Sequence, residues 1–120
     1  MYNKILRVDA VKVGLKDISA LLSKTGPLAQ WQMTQNDSQL TREHTFKTFE
    51  QTWGFLTQVS MRAHILGHHP TITTTYNNVK IDLTTHDIVT ESYKQSGTIS
   101  DVDIKFAKRI EKYLELYSSK

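Results

Sequence analysis

One segment restricts the fold more than any other. From Phe49 to Leu66, the apolar residues Phe49, Trp53, Leu56, Val59, Ala63 and Leu66 recur every three or four positions. That spacing predicts an amphipathic helix with one continuous apolar stripe. Thr48 stands where a side-chain cap is wanted. Gly67 falls where a left-handed residue closes a helix, and Pro70 follows three residues later. The chain therefore leaves the helix at Gly67 and delivers His68 and His69 into the start of a loop.

The remaining elements arrange themselves around that helix. Asp17 to Lys24 reads as a short helix, with Asp17 as its cap and Gly26-Pro27 as its stop. Residues 1–14 read as an extended lead. Trp31 to Thr34 and Leu40 to Lys47 read as strands joined by a turn at Asn36-Asp37-Ser38. In the second of these, Leu40, Arg42, His44 and Phe46 form the inner face. Thr71 to Tyr76 and Val79 to Thr85 read as a second strand pair, with a turn at Asn77-Asn78 and His86 at the end of the last strand. Ile88 to Gly97 reads as a polar loop. Ser100 and Asp103 form a capping-box start to a final helix reaching about Tyr117, with Ile104, Ala107, Ile110, Tyr113, Leu114 and Tyr117 as its stripe. The order is helix-strand-strand-helix-strand-strand-helix. Short connections within each strand pair make hairpins, so the expected class is α+β: a four-stranded antiparallel sheet with helices packed on one face.

Length and composition narrow the functions. A chain of 120 residues is one domain by size, with a core of little margin, so contacts between subunits are expected to complete it. The net charge of +3 is mild and the basic residues are spread along the chain, which argues against direct nucleic-acid binding. There are no cysteines, which removes disulfides, thiolate metal sites and thiol nucleophiles. No apolar run approaches the roughly 20 residues of a membrane span. Met1 to Lys16 lacks a secretory apolar stretch and carries Asp9 among its basic residues. A cytoplasmic location is expected, with the nucleus open to so small a chain.

Five histidines remain as the candidates for chemistry: His44, His64, His68, His69 and His86. Imidazole gives and takes protons near neutral pH. No nucleophile elbow, glycine-rich phosphate loop or HExxH motif is present. Adjacent residues in extended chain point to opposite sides, so His68 and His69 have different jobs. Pro70 restricts the backbone of His69. His86, at a strand end, is expected near the helix exit. The rival is a metal site from His64 and His68, four residues apart. Gly67 weakens it by ending the helix between them, and no metal is expected. Trp53 and Phe55 read as core or subunit contact, His44 as a partly buried residue, and Lys105, Lys108, Arg109 and Lys112 as a solvated helix face.

These residues, as a set, resemble a known family. Phe46-Lys47-Thr48-Phe49, Trp53-Gly54-Phe55, His68-His69-Pro70, Tyr76-Asn77, Val79, Leu83 and Thr85-His86-Asp87 are similar to the pterin-4a-carbinolamine dehydratases, over a stretch from about Leu40 to Leu114. The resemblance implies dehydration of 4a-hydroxytetrahydrobiopterin to quinonoid dihydrobiopterin, in recycling of tetrahydrobiopterin, without metal or organic cofactor. It implies that His68, His69 and His86 are catalytic and that Gly67, Pro70, Thr84, Thr85 and Asp87 line the pterin pocket. On this reading His68 and His86 face the pterin as acid and base, and His69 orients the ring. A homo-oligomer, tetramer or dimer, is implied as well. The chain departs from the pattern at His64, where the family usually has Glu, and at Thr71-Ile72, where it usually has an acid and Trp. The substitution at His64 exchanges an acid beside the site for an imidazole, which makes His64 a candidate modifier of the neighbouring pKa values. Two other functions stay open: a binding module that stabilises a transcription-factor dimer, as some relatives do, and a non-catalytic assembly scaffold.

Overall fold

A computed structural model describes residues 12–85 and 98–117. Along the chain run α1 (Leu15–Leu21), β1 (Gln32–Thr34), β2 (Gln39–Thr45), α2 (Phe49–Leu66), β3 (Thr71–Thr75), β4 (Asn78–Leu83) and α3 (Asp101–Leu116). The expected α+β order is therefore the observed one. The strands form a single antiparallel sheet in the order β1-β2-β4-β3. The central pairing is non-local: β2 lies against β4, with α2 and β3 intervening in sequence. Register follows the side-chain alternation. Leu40, Val79, Ile81 and Leu83 point into the core with the apolar residues of α2 and α3. Glu43 and Lys80, cross-strand neighbours of opposite charge, are on the other face.

The boundaries of α2 are those of the sequence pattern, but its buried side is rotated. Thr52, Phe55, Leu56, Val59 and Ala63 face the core, whereas Phe49 and Trp53 do not. Phe55 is 1% exposed and Trp53 47%, so that pair divides between core and surface. Thr52 fits inside because its hydroxyl donates to the Thr48 carbonyl at 2.9 Å. The Thr48 side chain accepts from the Gln51 N–H at 3.0 Å, as a cap should.

Helix α1 differs more. It starts at Leu15 rather than Asp17, with Gly14 as its uncapped first boundary, and Asp17 lies in the first turn, where an acid suits the helix dipole. It stops at Leu21 because the chain doubles back on its end. The Leu28 N–H donates to the Leu21 carbonyl at 2.9 Å, and a side chain at Gly26 would collide with the carbonyls of Ala20 and Leu21. The last part of the expected lead is tied down: Val13 donates to the Ile99 carbonyl at 3.0 Å. Strand β2 ends at Thr45 rather than Lys47, since the Phe46 backbone turns to exchange hydrogen bonds with Asn77. The β3–β4 turn centres on Tyr76 and Asn77, one residue earlier than expected, with Tyr76 left-handed at φ 50°.

The inner face of β2 accommodates its two polar residues by pairing them. Arg42 Nε donates to Glu111 Oε2 of α3 at 2.7 Å, and Trp31 Nε1 donates to the same oxygen at 2.7 Å. His44 stacks edge-on against Phe46, with ring centroids 4.5 Å apart. Its pKa is lowered from 6.5, mainly by burial and then by the Arg42 charge, while Glu111 opposes the shift. The folded state thus binds fewer protons at His44 than the unfolded chain. Stability contributed there is present above about pH 6.5 and lost as pH falls through that value toward the lower folded pKa. Replacing His44 by Phe is expected to flatten that part of the stability curve, as measured by urea unfolding between about pH 5 and 7.5.

Candidate active site

The site grows from the way α2 ends. Gly67 adopts the left-handed conformation, φ 63° and ψ 32°, which costs glycine little. Its N–H donates to the His64 carbonyl and the His68 N–H to the Ala63 carbonyl, both at 3.1 Å. This pair of bonds is the Schellman closure. It folds the residue after Gly67 back against the helix, and that residue is His68.

His68 is accordingly buried, at 6% exposed, and so is the residue it meets. His68 Nε2 lies 2.5 Å from Oδ1 of Asp103, a carboxylate with no exposed surface. The other oxygen, Oδ2, accepts from the Thr85 hydroxyl at 2.7 Å, the Ser100 N–H at 2.9 Å and the Ser100 hydroxyl at 3.3 Å. Thr85 and Ser100 also share a hydrogen bond at 2.7 Å. An ionised carboxylate buried this way requires donors on both oxygens, and it has them. Because a carboxylate can only accept, the ring nitrogen that faces Asp103, Nε2, is the one that carries a proton.

His69 faces the other way and is exposed. Pro70, half-buried, follows it and precedes β3. The His64 and His69 rings approach with centroids 6.3 Å apart. His64 and His68 therefore diverge: one ring meets His69 and the other meets Asp103. Among the described residues no group of three or more His, Asp or Glu side chains converges on a metal position. Thr84 is held by its hydroxyl, which donates to the Ser38 carbonyl at 2.6 Å. Thr85 is buried behind His68, its hydroxyl wholly engaged by the network. His86 and Asp87 lie outside the described residues, as does the expected loop from Ile88 to Gly97. A cavity of about 330 Å³ lies beside Ile18, Asn36, Ser38 and Ile99, and no histidine lines it.

Asp103 is the functional residue that sequence reasoning missed. It was assigned only to the capping box, a role it does fill. The signal lay in its position: it shares a helix face with Ala107 and Ile110, where an acid is out of place unless something inside answers its charge.

Comparison with known proteins identifies the family. Residues 12–113 match the family model described as pterin 4 alpha carbinolamine dehydratase. A Saccharomyces cerevisiae protein provisionally named pterin-4-alpha-carbinolamine dehydratase is 44% identical, covering 96% of this chain and 97% of its own. A provisionally so-named protein of a Synechococcus species is 37% identical over 75% of this chain and 84% of its own. Among solved structures, a Brucella melitensis protein titled a transcriptional coactivator/pterin dehydratase superposes with a TM-score of 0.70 at 27% identity, over 85% of this chain and 97% of that one. The fold is thus that of a class of small α+β dehydratases. The chain belongs to the pterin-4a-carbinolamine dehydratase family.

The buried pair gives a direct expectation. In nitrogen-15 NMR spectra at neutral pH, His68 is expected to carry its proton on Nε2. Asp103→Asn is expected to disturb that preference and to destabilise the fold by about 1–3 kcal/mol, the usual cost of a buried polar group left poorly matched. A wild-type His68 protonated on Nδ1 alone would contradict the geometry.

Proposed function

We propose that this protein dehydrates 4a-hydroxytetrahydrobiopterin to quinonoid dihydrobiopterin by histidine acid–base catalysis, in the recycling of tetrahydrobiopterin. One observation carries the reading within the family: His68 is locked against a buried carboxylate while the adjacent His69 stands exposed beside it. The reaction breaks the C4a–O bond, which needs a proton on the departing hydroxyl, and removes a proton from a ring nitrogen, so that water and the quinonoid product form. Neither step needs a redox partner. Imidazoles can supply both proton movements, typically for about a hundred- to ten-thousandfold in rate each.

This reading exchanges the roles in the expectation that His68 faces the pterin and His69 orients it, and what supports the exchange is that His68 is buried and His69 exposed. His69, exposed, is the residue placed to touch substrate. His68, braced by Asp103, holds the turn and tunes its neighbour. His86 is the proposed second proton carrier. Replacing His69 or His86 by Ala is expected to lower the rate of dehydration at least about a hundredfold, while chelator-treated wild type keeps its activity. Full activity in both variants would refute the assignment.

A homo-oligomer is part of the same reading. Phe49, Trp53, Met61 and Ile65 repeat along one side of α2 and are all exposed. Phe49 also stacks on Tyr76, centroids 6.1 Å apart, extending the patch to the β3–β4 turn. Large apolar side chains aligned at helical spacing on the surface mark a contact between subunits. Such a stripe would equally serve a protein partner, the reading that the coactivator title of the Brucella structure brings to mind. Trp53→Lys is expected to convert the assembly to monomers on a sizing column without loss of helix content. An unchanged elution volume would remove the stripe from the interface.

A further inference from the structure

We infer that His64 and His69 together bind a divalent cation of the imidazole-seeking kind, with Zn²⁺ the representative, and that the bound cation blocks the catalytic face. The blocking rests on the reading of His69 as catalytic; the binding does not.

The two rings already approach one another edge-on, with centroids 6.3 Å apart and planes inclined at 61°. Their separation is set by backbone rather than by chance contact. The His64 carbonyl is itself an acceptor in the closure at Gly67, so the last helical turn and the strand-bound segment carrying His69 are fastened at the ligand residue. Pro70 limits the backbone of His69 from the other side. A chelating pair held this way loses little freedom on binding. Zinc–imidazole bonds of about 2.1 Å would place two ring centres roughly 5 Å apart around a tetrahedral ion. Closing from the observed separation needs only a side-chain rotation of about 1 Å, and both side chains are exposed enough to make it.

The chemistry of the donors selects the cation. Neutral imidazole prefers Zn²⁺, Cu²⁺ and Ni²⁺ and ignores Mg²⁺ and Ca²⁺. With two imidazoles as the proposed ligands, the remaining positions are left to water and the ion stays exchangeable. That makes it a reversible inhibitor rather than a structural ion. With the metal on its ring nitrogen, His69 can neither accept nor deliver a proton.

The test is calorimetric titration of the chelator-stripped full chain with Zn²⁺, with Mg²⁺ as control. One Zn²⁺ per chain is expected near pH 7.5. His64→Ala and His69→Ala should each weaken binding at least about tenfold, and His44→Phe should leave it unchanged. Binding should weaken as pH falls, because protons compete with the cation for the ring nitrogens. Unaltered Zn²⁺ affinity in His64→Ala, with circular dichroism showing the variant folded, would overturn the proposal. So would the absence of saturable binding in the wild type. In the dehydration assay, Zn²⁺ should inhibit the wild type reversibly, and His64→Ala should require at least about tenfold more Zn²⁺ for the same inhibition. Full activity at saturating Zn²⁺ would overturn the blocking. If the chain shows no dehydratase activity, the titration still decides the cation site, so the two readings fail separately.

Discussion

A carboxylate shut away from water must be surrounded by donors or give up its charge, and Asp103 organises much of this molecule around that requirement. Its donors come from three places far apart in sequence: His68 after α2, Thr85 after β4 and Ser100 before α3. The carboxylate therefore joins the exit of one helix, the end of a central strand and the start of another helix at one point. It also settles which way His68 turns. With His68 drawn inward, the extended backbone before Pro70 turns His69 outward, and two neighbouring imidazoles come to stand in different surroundings.

The helices were legible because their signals are local. The Thr48 cap, the Gly67 stop and the Ser100/Asp103 box are each a few residues long and need no tertiary knowledge. The sheet was legible because Val79, Ile81 and Leu83 alternate strictly with polar residues. What could not be seen was which part of an ambiguous pattern tertiary structure would choose. Phe49 and Trp53 fit the helical period as well as Thr52 and Phe55 do. Hydrophobicity alone favours the aromatics, but the core takes the threonine, whose hydroxyl the helix backbone satisfies. The short α1 was misplaced for a similar reason: its end is set by Leu28, which reaches back to it, and not by any residue within it.

The candidate site was half legible. His68 and His69 were marked by their place after a helix stop, but burial, which distinguishes their surroundings, is a property of the assembled fold. Asp103 was hidden behind its own second function. A residue that caps a helix has an adequate local explanation, and its other oxygen, pointing at an imidazole thirty-five positions away, leaves no trace in the local pattern. Phe49 and Trp53 joined the predicted apolar stripe of α2 for a comparable reason: apolar residues at helical spacing look alike whether they are buried or exposed.

The pairing of β2 with β4 has a consequence for how the molecule comes into being. The segment between them, α2 and β3, must be looped out and packed before the central ladder can close, and contacts of such long sequence separation form slowly. The His68–Asp103 bond then waits for α3 to dock. No partly folded state that lacks α3 can present a braced His68, so the brace at this site exists only where α2, β4 and α3 have already come together.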